Sequence, residues 1–325
     1  MNRVRGLLAA LAAIALLAGC AAGSDTIDTK TTEYTEPPLP AKAVSIPTDS
    51  PIPAERDEQC GDPTASLRPT GAGAAARGPT IDAIRARGRL VVGLDTGSNL
   101  FSFRDPVSGT IVGFDADIAR EVARDLFGSP EQIEYRSLGS AERESALQNH
   151  VVDIVAKTMT INCERRQKVS FSTVYLHANQ RVLAVKNSGI RSLADLAGKR
   201  VCIVSGTTSL DHMRREQPGA TILTVPTWAD CLVVLQQRQV DAISTDDAIL
   251  AGLATQDSSY TELVGPSISV EPYGIGIPKG NDDLVRFVNG TLERIRNDGT
   301  WARLYQQYLI ALGPVPAPPV ATYQD

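Results

Sequence analysis

Between residues 89 and 308 short apolar runs alternate with stretches of helical periodicity, and few folds tolerate that order. Residues 89–94 (Arg-Leu-Val-Val-Gly-Leu), 151–155, 201–204 and 240–243 each read as a short strand buried on both faces. Residues 114–126 carry apolar side chains at Ile118, Val122 and Leu126, the spacing of an amphipathic helix. Further helices are expected at 141–148, 193–197, 209–215, 228–238 and 283–308. Strand followed by helix followed by strand calls for parallel sheets with helical crossovers, an α/β class. In such sheets ligands settle beyond the carboxyl ends of the strands, so the polar residues after each strand carry the chemistry.

The ends of the chain read differently. Arg3 and Arg5 precede a small and apolar run from 6 to 18 that closes on Leu17-Ala18-Gly19-Cys20. That is the pattern of a signal peptide (1–19) with a lipobox, processed so that Cys20 becomes a lipid-bearing amino terminus. The run is too short to make a good spanning helix. From 20 to 80 the chain is rich in Thr, Pro, Ser, Asp and Ala, which predicts a mostly disordered tether. Gly71-Ala72-Gly73 within it follows no strand and is no nucleotide loop. The tail, 313–325, is Pro-rich and expected to run over the surface.

Five cysteines is an odd number for an oxidising compartment, but assigning Cys20 to the lipid leaves Cys60, Cys163, Cys202 and Cys231 for two bridges. Three pairings are open. Cys202 with Cys231 is preferred because a strand and a helix of one lobe should lie side by side, which leaves Cys60 to staple the end of the tether to Cys163. The net charge of -5 is mild. With no basic patch interleaved with aromatics, a nucleic-acid partner has no support. His150, His177 and His212 are scattered without metal-ligand spacing, so no metal or cofactor is expected.

Five polar segments flank the strands: 95–99 (Asp-Thr-Gly-Ser-Asn), 157–160 (Lys-Thr-Met-Thr) with Arg165 beyond it, 205–209 (Ser-Gly-Thr-Thr-Ser), 245–247 (Thr-Asp-Asp) and 272–274 (Pro-Tyr-Gly). A free amino acid needs a guanidinium and backbone N–H groups for its carboxylate and an acid for its ammonium. Arg165, the helix start at Gly206-Thr207-Thr208, and Asp246 can supply these. Each also has an ordinary reading: Arg165 in a surface ion pair with Glu164, Thr207 or Ser209 as a helix cap, Asp246 and Asp247 capping the next helix. Segment 206–209 is no nucleophile elbow, and no histidine is placed to activate a serine.

Taken together, 89–95, Gly-Phe-Asp-Ala-Asp-Ile-Ala (113–119), Val-Asp-Ile-Val-Ala (152–156), Glu-Arg-Arg-Gln-Lys-Val-Ser-Phe-Ser (164–172), Leu-Ala-Gly-Lys-Arg-Val (196–201), 205–209, 240–247 and Pro-Tyr-Gly-Ile-Gly-Ile-Pro-Lys (272–279) resemble the polar amino-acid branch of the extracytoplasmic solute-binding proteins. The likeness spans roughly 81–312 and is strongest to the actinobacterial glutamine/glutamate-binding lipoproteins. It implies the type II periplasmic-binding-protein fold, with the ligand in a cleft between two lobes joined by crossovers near 175–180 and 269–273. Lobe 1 would hold 81–177 and 272–312, and lobe 2 would hold 178–271. It implies Arg165 on the ligand α-carboxylate with Thr160, Thr207 and Thr208, and Asp246 with the Thr158 carbonyl on the ammonium. It also implies a monomer serving a membrane ABC permease or a membrane sensor. A cyclohexadienyl or prephenate-type dehydratase on the same fold is the alternative, with Asp95 as the acid or base.

The loop 138–141 lacks the aromatic on which relatives stack longer or cationic ligands. Lys157, directly before Thr158, is expected to bring a positive charge to a distal carboxylate or amide, with Asp95 either fixing the lysine or accepting an amide N–H. Glu, Asp, Gln and Asn therefore rank above cationic and branched apolar ligands.

Overall fold

The computed structural model describes residues 35–53, 60–70 and 75–325. The expected signal segment, Cys20 and part of the expected tether lie outside the described residues. In chain order, β1 (Val44–Ile46), α1 (Pro79–Arg87), β2 (Leu90–Leu94), β3 (Gly97–Ser98), β4 (Ser102–Arg104), β5 (Ile111–Val112), α2 (Phe114–Phe127), β6 (Ile133–Ser137), α3 (Arg143–Gln148), β7 (Ile154–Val155), α4 (Cys163–Lys168) and β8 (Val169–Phe171) lead into a long strand, β9 (Leu176–Val185). Next come β10 (Arg200–Val204), α5 (Thr208–Glu216), β11 (Thr221–Val225), α6 (Trp228–Gln236), β12 (Ala242–Asp246), α7 (Asp247–Gln256) and the longest strand, β13 (Thr261–Tyr273). The chain then closes with β14 (Gly276–Pro278), α8 (Asp282–Asn297) and α9 (Thr300–Tyr308).

Two sheets organise these elements into two lobes. The first has the order β6-β2-β7-β14-β8 and the second β1-β11-β10-β12-β9-β13. Every residue of β2 is buried, and β2 pairs in parallel with β6 and β7, as its unbroken apolar run requires. In the second sheet β10 pairs in parallel with β11 and β12. β9 and β13 run antiparallel from Val185↔Thr261 to Leu176↔Tyr273. Their Leu176, Ala178 and Tyr273 belong to the first core, while Val182, Leu183 and Ala184 belong to the second. These two strands thus carry the chain from one hydrophobic core to the other.

Three local features depart from the sequence reading for identifiable reasons. The single helix expected over 283–308 is broken at Gly299, whose φ of 80° is left-handed, and Asp298 Oδ1 restarts the helix by accepting the Thr300 N–H at 2.9 Å. Part of the expected tether is ordered: β1 adds antiparallel to β11, Ile46 packs on the second core, and the exposed edge of that sheet is covered. Helix α1, placed at the tether's end, starts where the distant Asp283 accepts the N–H groups of Thr80 and Ile81 at 2.8 and 3.1 Å, an N-terminal cap that no local pattern announces.

The disulfides pair Cys202 with Cys231 and Cys60 with Cys163. The first ties β10 to α6, and the second ties the end of the expected tether to α4. Nearby, Ser66 donates to the Phe171 carbonyl at 2.7 Å and bridges to Tyr323 of the tail. No helix among the described residues is long and apolar enough to cross a membrane.

Candidate functional site

The carboxyl ends of β7, β10, β11 and β12 converge on one small cavity. Ser140, Arg143, Thr158, Thr160 and Arg165 line it from the first lobe; Thr207, Thr208, Ser209, Trp228 and Asp246 line it from the second. The free space among these atoms is only about 10 Å³, room for roughly one water molecule.

Arg165 follows the Asn162 cap of α4, whose side chain accepts the Arg165 N–H at 2.9 Å. Its guanidinium is 4% exposed. It donates to the Thr160 carbonyl at 2.7 Å and to Gly206 O at 3.4 Å, with Glu144 at 3.5 Å. Its partner is therefore not Glu164, which instead pairs with Lys168 at 3.0 Å. Burial lowers the Arg165 pKa, opposed by the charge of Glu144.

Arg143 is the cavity cation that sequence reasoning missed. It opens α3 and donates to Ser140 O at 3.0 Å, Lys157 O at 3.0 Å, Thr158 O at 3.2 Å and Gly206 O at 3.3 Å. Burial, then the charge of Arg165, pushes its pKa down to about 9, still high enough to keep it charged at neutral pH. In the sequence Arg143 was one polar residue of an expected helix, and nothing in the spacing distinguished it from a solvated one. Trp228, at the start of an expected helix, likewise carries no signal in the sequence, yet it gives the cavity an aromatic wall from the second lobe.

Lys157 and Asp95 are not among the residues that line the cavity. The Lys157 ammonium sits 2.8 Å from Asp95 Oδ2, and Asp95 also accepts from Thr96 N, Gly97 N and the Ser98 hydroxyl at 2.8, 3.0 and 3.0 Å. Burial raises the Asp95 pKa, but the charge and hydrogen bond of Lys157 outweigh it and hold the carboxyl below its usual range. The charge expected to face a ligand is met inside the first lobe.

Thr158 does face the cavity, from an unusual backbone. Its φ of 40° is left-handed, a conformation costing about 1–3 kcal/mol for a non-glycine residue. Asp115 holds it there by accepting the Thr158 N–H at 2.9 Å and the Tyr175 hydroxyl at 2.7 Å. Thr207 caps α5, accepting the Leu210 N–H at 3.3 Å while donating to Val204 O at 2.8 Å. Gly206, with φ +73°, brings the second lobe against the first so closely that a Cβ there would lie 2.5 Å from Ala141 Cα. Only glycine permits that approach.

Asp246 closes the cavity on the opposite side. It is 4% exposed, its Oδ2 accepts the Tyr273 hydroxyl, and its Oδ1 is buried without a hydrogen-bond partner among the described residues. Burial, then the charge of Glu271, raises its pKa well above the ordinary value. A buried acceptor left open toward a cavity costs free energy that a donor on a ligand returns. Among the described residues no cluster of His, Cys, Asp and Glu is arranged to hold a metal ion.

Comparison with known proteins agrees with this geometry. A family model described as bacterial extracellular solute-binding proteins, family 3, matches residues 90–311. The ABC transporter glutamine-binding protein GlnH of Bacillus subtilis (strain 168) is 36% identical over 71% of this chain and 84% of its own. The glutamate-binding protein GluB of Corynebacterium glutamicum is 34% identical over 63% of this chain and 73% of its own. Among solved structures, an ancestral amino acid-binding protein, described as a precursor of cyclohexadienyl dehydratase, superposes with a TM-score of 0.65 at 33% identity, covering 70% of this chain and 99% of that one.

Proposed function

Because the chain belongs to family 3 of the bacterial extracellular solute-binding proteins, we propose that it captures an acidic amino acid or its amide between its two lobes. The observation that carries this reading is the open Oδ1 of Asp246, set in the same cavity as the two buried guanidinium groups of Arg143 and Arg165. An α-ammonium answers Asp246, and an α-carboxylate answers Arg165 together with the N–H groups that open α5. Arg143 has five N–H donors and four bonds to carbonyl oxygens, so it keeps one donor for a distal carboxylate or amide oxygen. Glutamate and aspartate neutralise both cations, which ranks them above glutamine and asparagine. Thr158 and Thr160 complete the wall, with the Asp95–Lys157 pair supporting it from behind.

Two curated relatives, at 36% and 34% identity, are named for glutamine and glutamate, which supports an acid or its amide without ranking one above the other. We assign the chain the role of delivering its ligand to a membrane permease, without turnover. A thermal-shift screen of the twenty amino acids tests the ligand: Glu and Asp are expected to raise the melting temperature most, because a ligand that binds only the folded state stabilises it by mass action. A larger shift with arginine or leucine would remove the assignment, and conversion of prephenate or arogenate would replace a binder by a dehydratase.

The Leu17-Ala18-Gly19-Cys20 pattern supports a further part of this reading, in which Cys20 carries a lipid that holds the protein at the membrane. Cys20→Ser is expected to release the protein into the medium or leave it unprocessed. Normal processing with full membrane retention would remove the anchor.

A further inference from the structure

Behind the cavity wall a second acid, Glu271 of β13, is fully buried. Its Oε2 accepts the hydroxyl of Thr160 at 2.7 Å and that of Thr208 at 2.8 Å. Its Oε1 accepts the Ser269 hydroxyl at 2.6 Å, with His212 Nδ1 at 3.3 Å. Thr160 follows β7 in the first lobe, and Thr208 opens α5 in the second. One carboxylate oxygen therefore joins a hydroxyl from each side of the cleft.

The consequence follows from counting protons. A threonine hydroxyl carries one proton, and in both residues it is directed at Glu271. Thr207, the neighbouring threonine of this wall, gives its proton to Val204 O. All three face the cavity as acceptors, whereas a ligand carboxylate needs donors. Burial works against an ionised Glu271, but the hydrogen bonds from His212, Ser269, Thr160 and Thr208 outweigh it, so the hydroxyls meet a charged acceptor.

We propose that Glu271 is a resident stand-in for the ligand carboxylate, a positioning residue that latches Thr160 to Thr208 across the cleft and yields the two hydroxyls when ligand arrives. The proposal rests on the amino-acid reading only in naming what displaces the latch. Hydrogen bonds to a charged group are the stronger kind, and losing two of them should raise the open fraction at least about tenfold.

Glu271→Gln keeps the shape and removes the charge. By small-angle X-ray scattering without added amino acid, the variant is expected to have a larger radius of gyration than wild type, and Thr208→Val, which removes one end of the latch, should expand likewise. Saturating glutamate should bring wild type and Glu271→Gln to one compact value, with association in stopped-flow about tenfold faster for the variant because its open form is more populated. Equal radii for all three proteins without amino acid would overturn the latch. If the variants expand but glutamate neither compacts nor binds wild type, the latch stands and the ligand reading falls.

Discussion

Asp246→Asn is expected to weaken binding of the amino-acid ligand by about a hundredfold or more. Removing one partner of a buried charge pair costs about 2–5 kcal/mol, which is roughly 30- to 4,000-fold at 1.4 kcal/mol per factor of ten. The amide retains an acceptor for Tyr273, whose hydroxyl bonds Oδ2 in the wild type, so the fold should survive the change. It cannot offer a negative charge to an ammonium. A second readout comes from protonation: burial and the charge of Glu271 raise the Asp246 pKa, and an arriving ammonium favours the ionised form. At a pH below that raised pKa binding should therefore release a proton, and affinity should fall as pH is lowered through it. Calorimetry in two buffers of different ionisation enthalpy measures the release, which Asp246→Asn should abolish. Near-wild-type affinity in the variant, or heats independent of buffer, would mean that the ammonium binds elsewhere.

Lys157→Met should act on the fold rather than on ligand choice. It leaves Asp95 buried without its cation, and breaking such a pair from one side costs about 3–5 kcal/mol, a fall in melting temperature of roughly 10 °C for a protein of this size. Three donors to Asp95 remain, from Thr96, Gly97 and Ser98, which places the loss toward the lower end. Adding Asp95→Asn removes the stranded charge, so the double variant should melt higher than Lys157→Met alone. Because Lys157 is held by Asp95 at 2.8 Å, glutamate and glutamine should lose affinity equally in Lys157→Met. A selective loss of glutamate binding with an unchanged melting temperature would return Lys157 to the ligand.

Asp95 and Lys157 show where sequence reasoning reached its limit. Both residues are legible as polar groups after strands, which is why they stand out, yet neither lines the cavity. Their mutual bond spans 62 positions in the chain, and no local pattern distinguishes a lysine turned toward a ligand from one turned toward a buried acid. Arg143 shows the converse, a residue of an ordinary amphipathic helix whose guanidinium enters the cavity because Ser140, Lys157, Thr158 and Gly206 all present carbonyl oxygens to it.

The apolar alternation over 89–308 determined the α/β class on its own, since strands buried on both faces and amphipathic helices can satisfy their backbones and bury their surfaces in few other ways; the division into two lobes was implied only by the family resemblance. The polar segments after the strands singled out Arg165, Thr207, Thr208 and Asp246 as candidates for one site, the resemblance added Thr160, and the fold lines one cavity with all five. Tertiary structure alone decided the polarity of that site. Which way a hydroxyl proton points, which cation is already answered and which carboxylate oxygen stays open depend on partners distant in sequence: Glu271 lies 111 and 63 positions from the two threonines it holds. Burial can be read from a periodic pattern, whereas the direction of a buried hydrogen bond is set only when both ends have been brought within about 3 Å of each other.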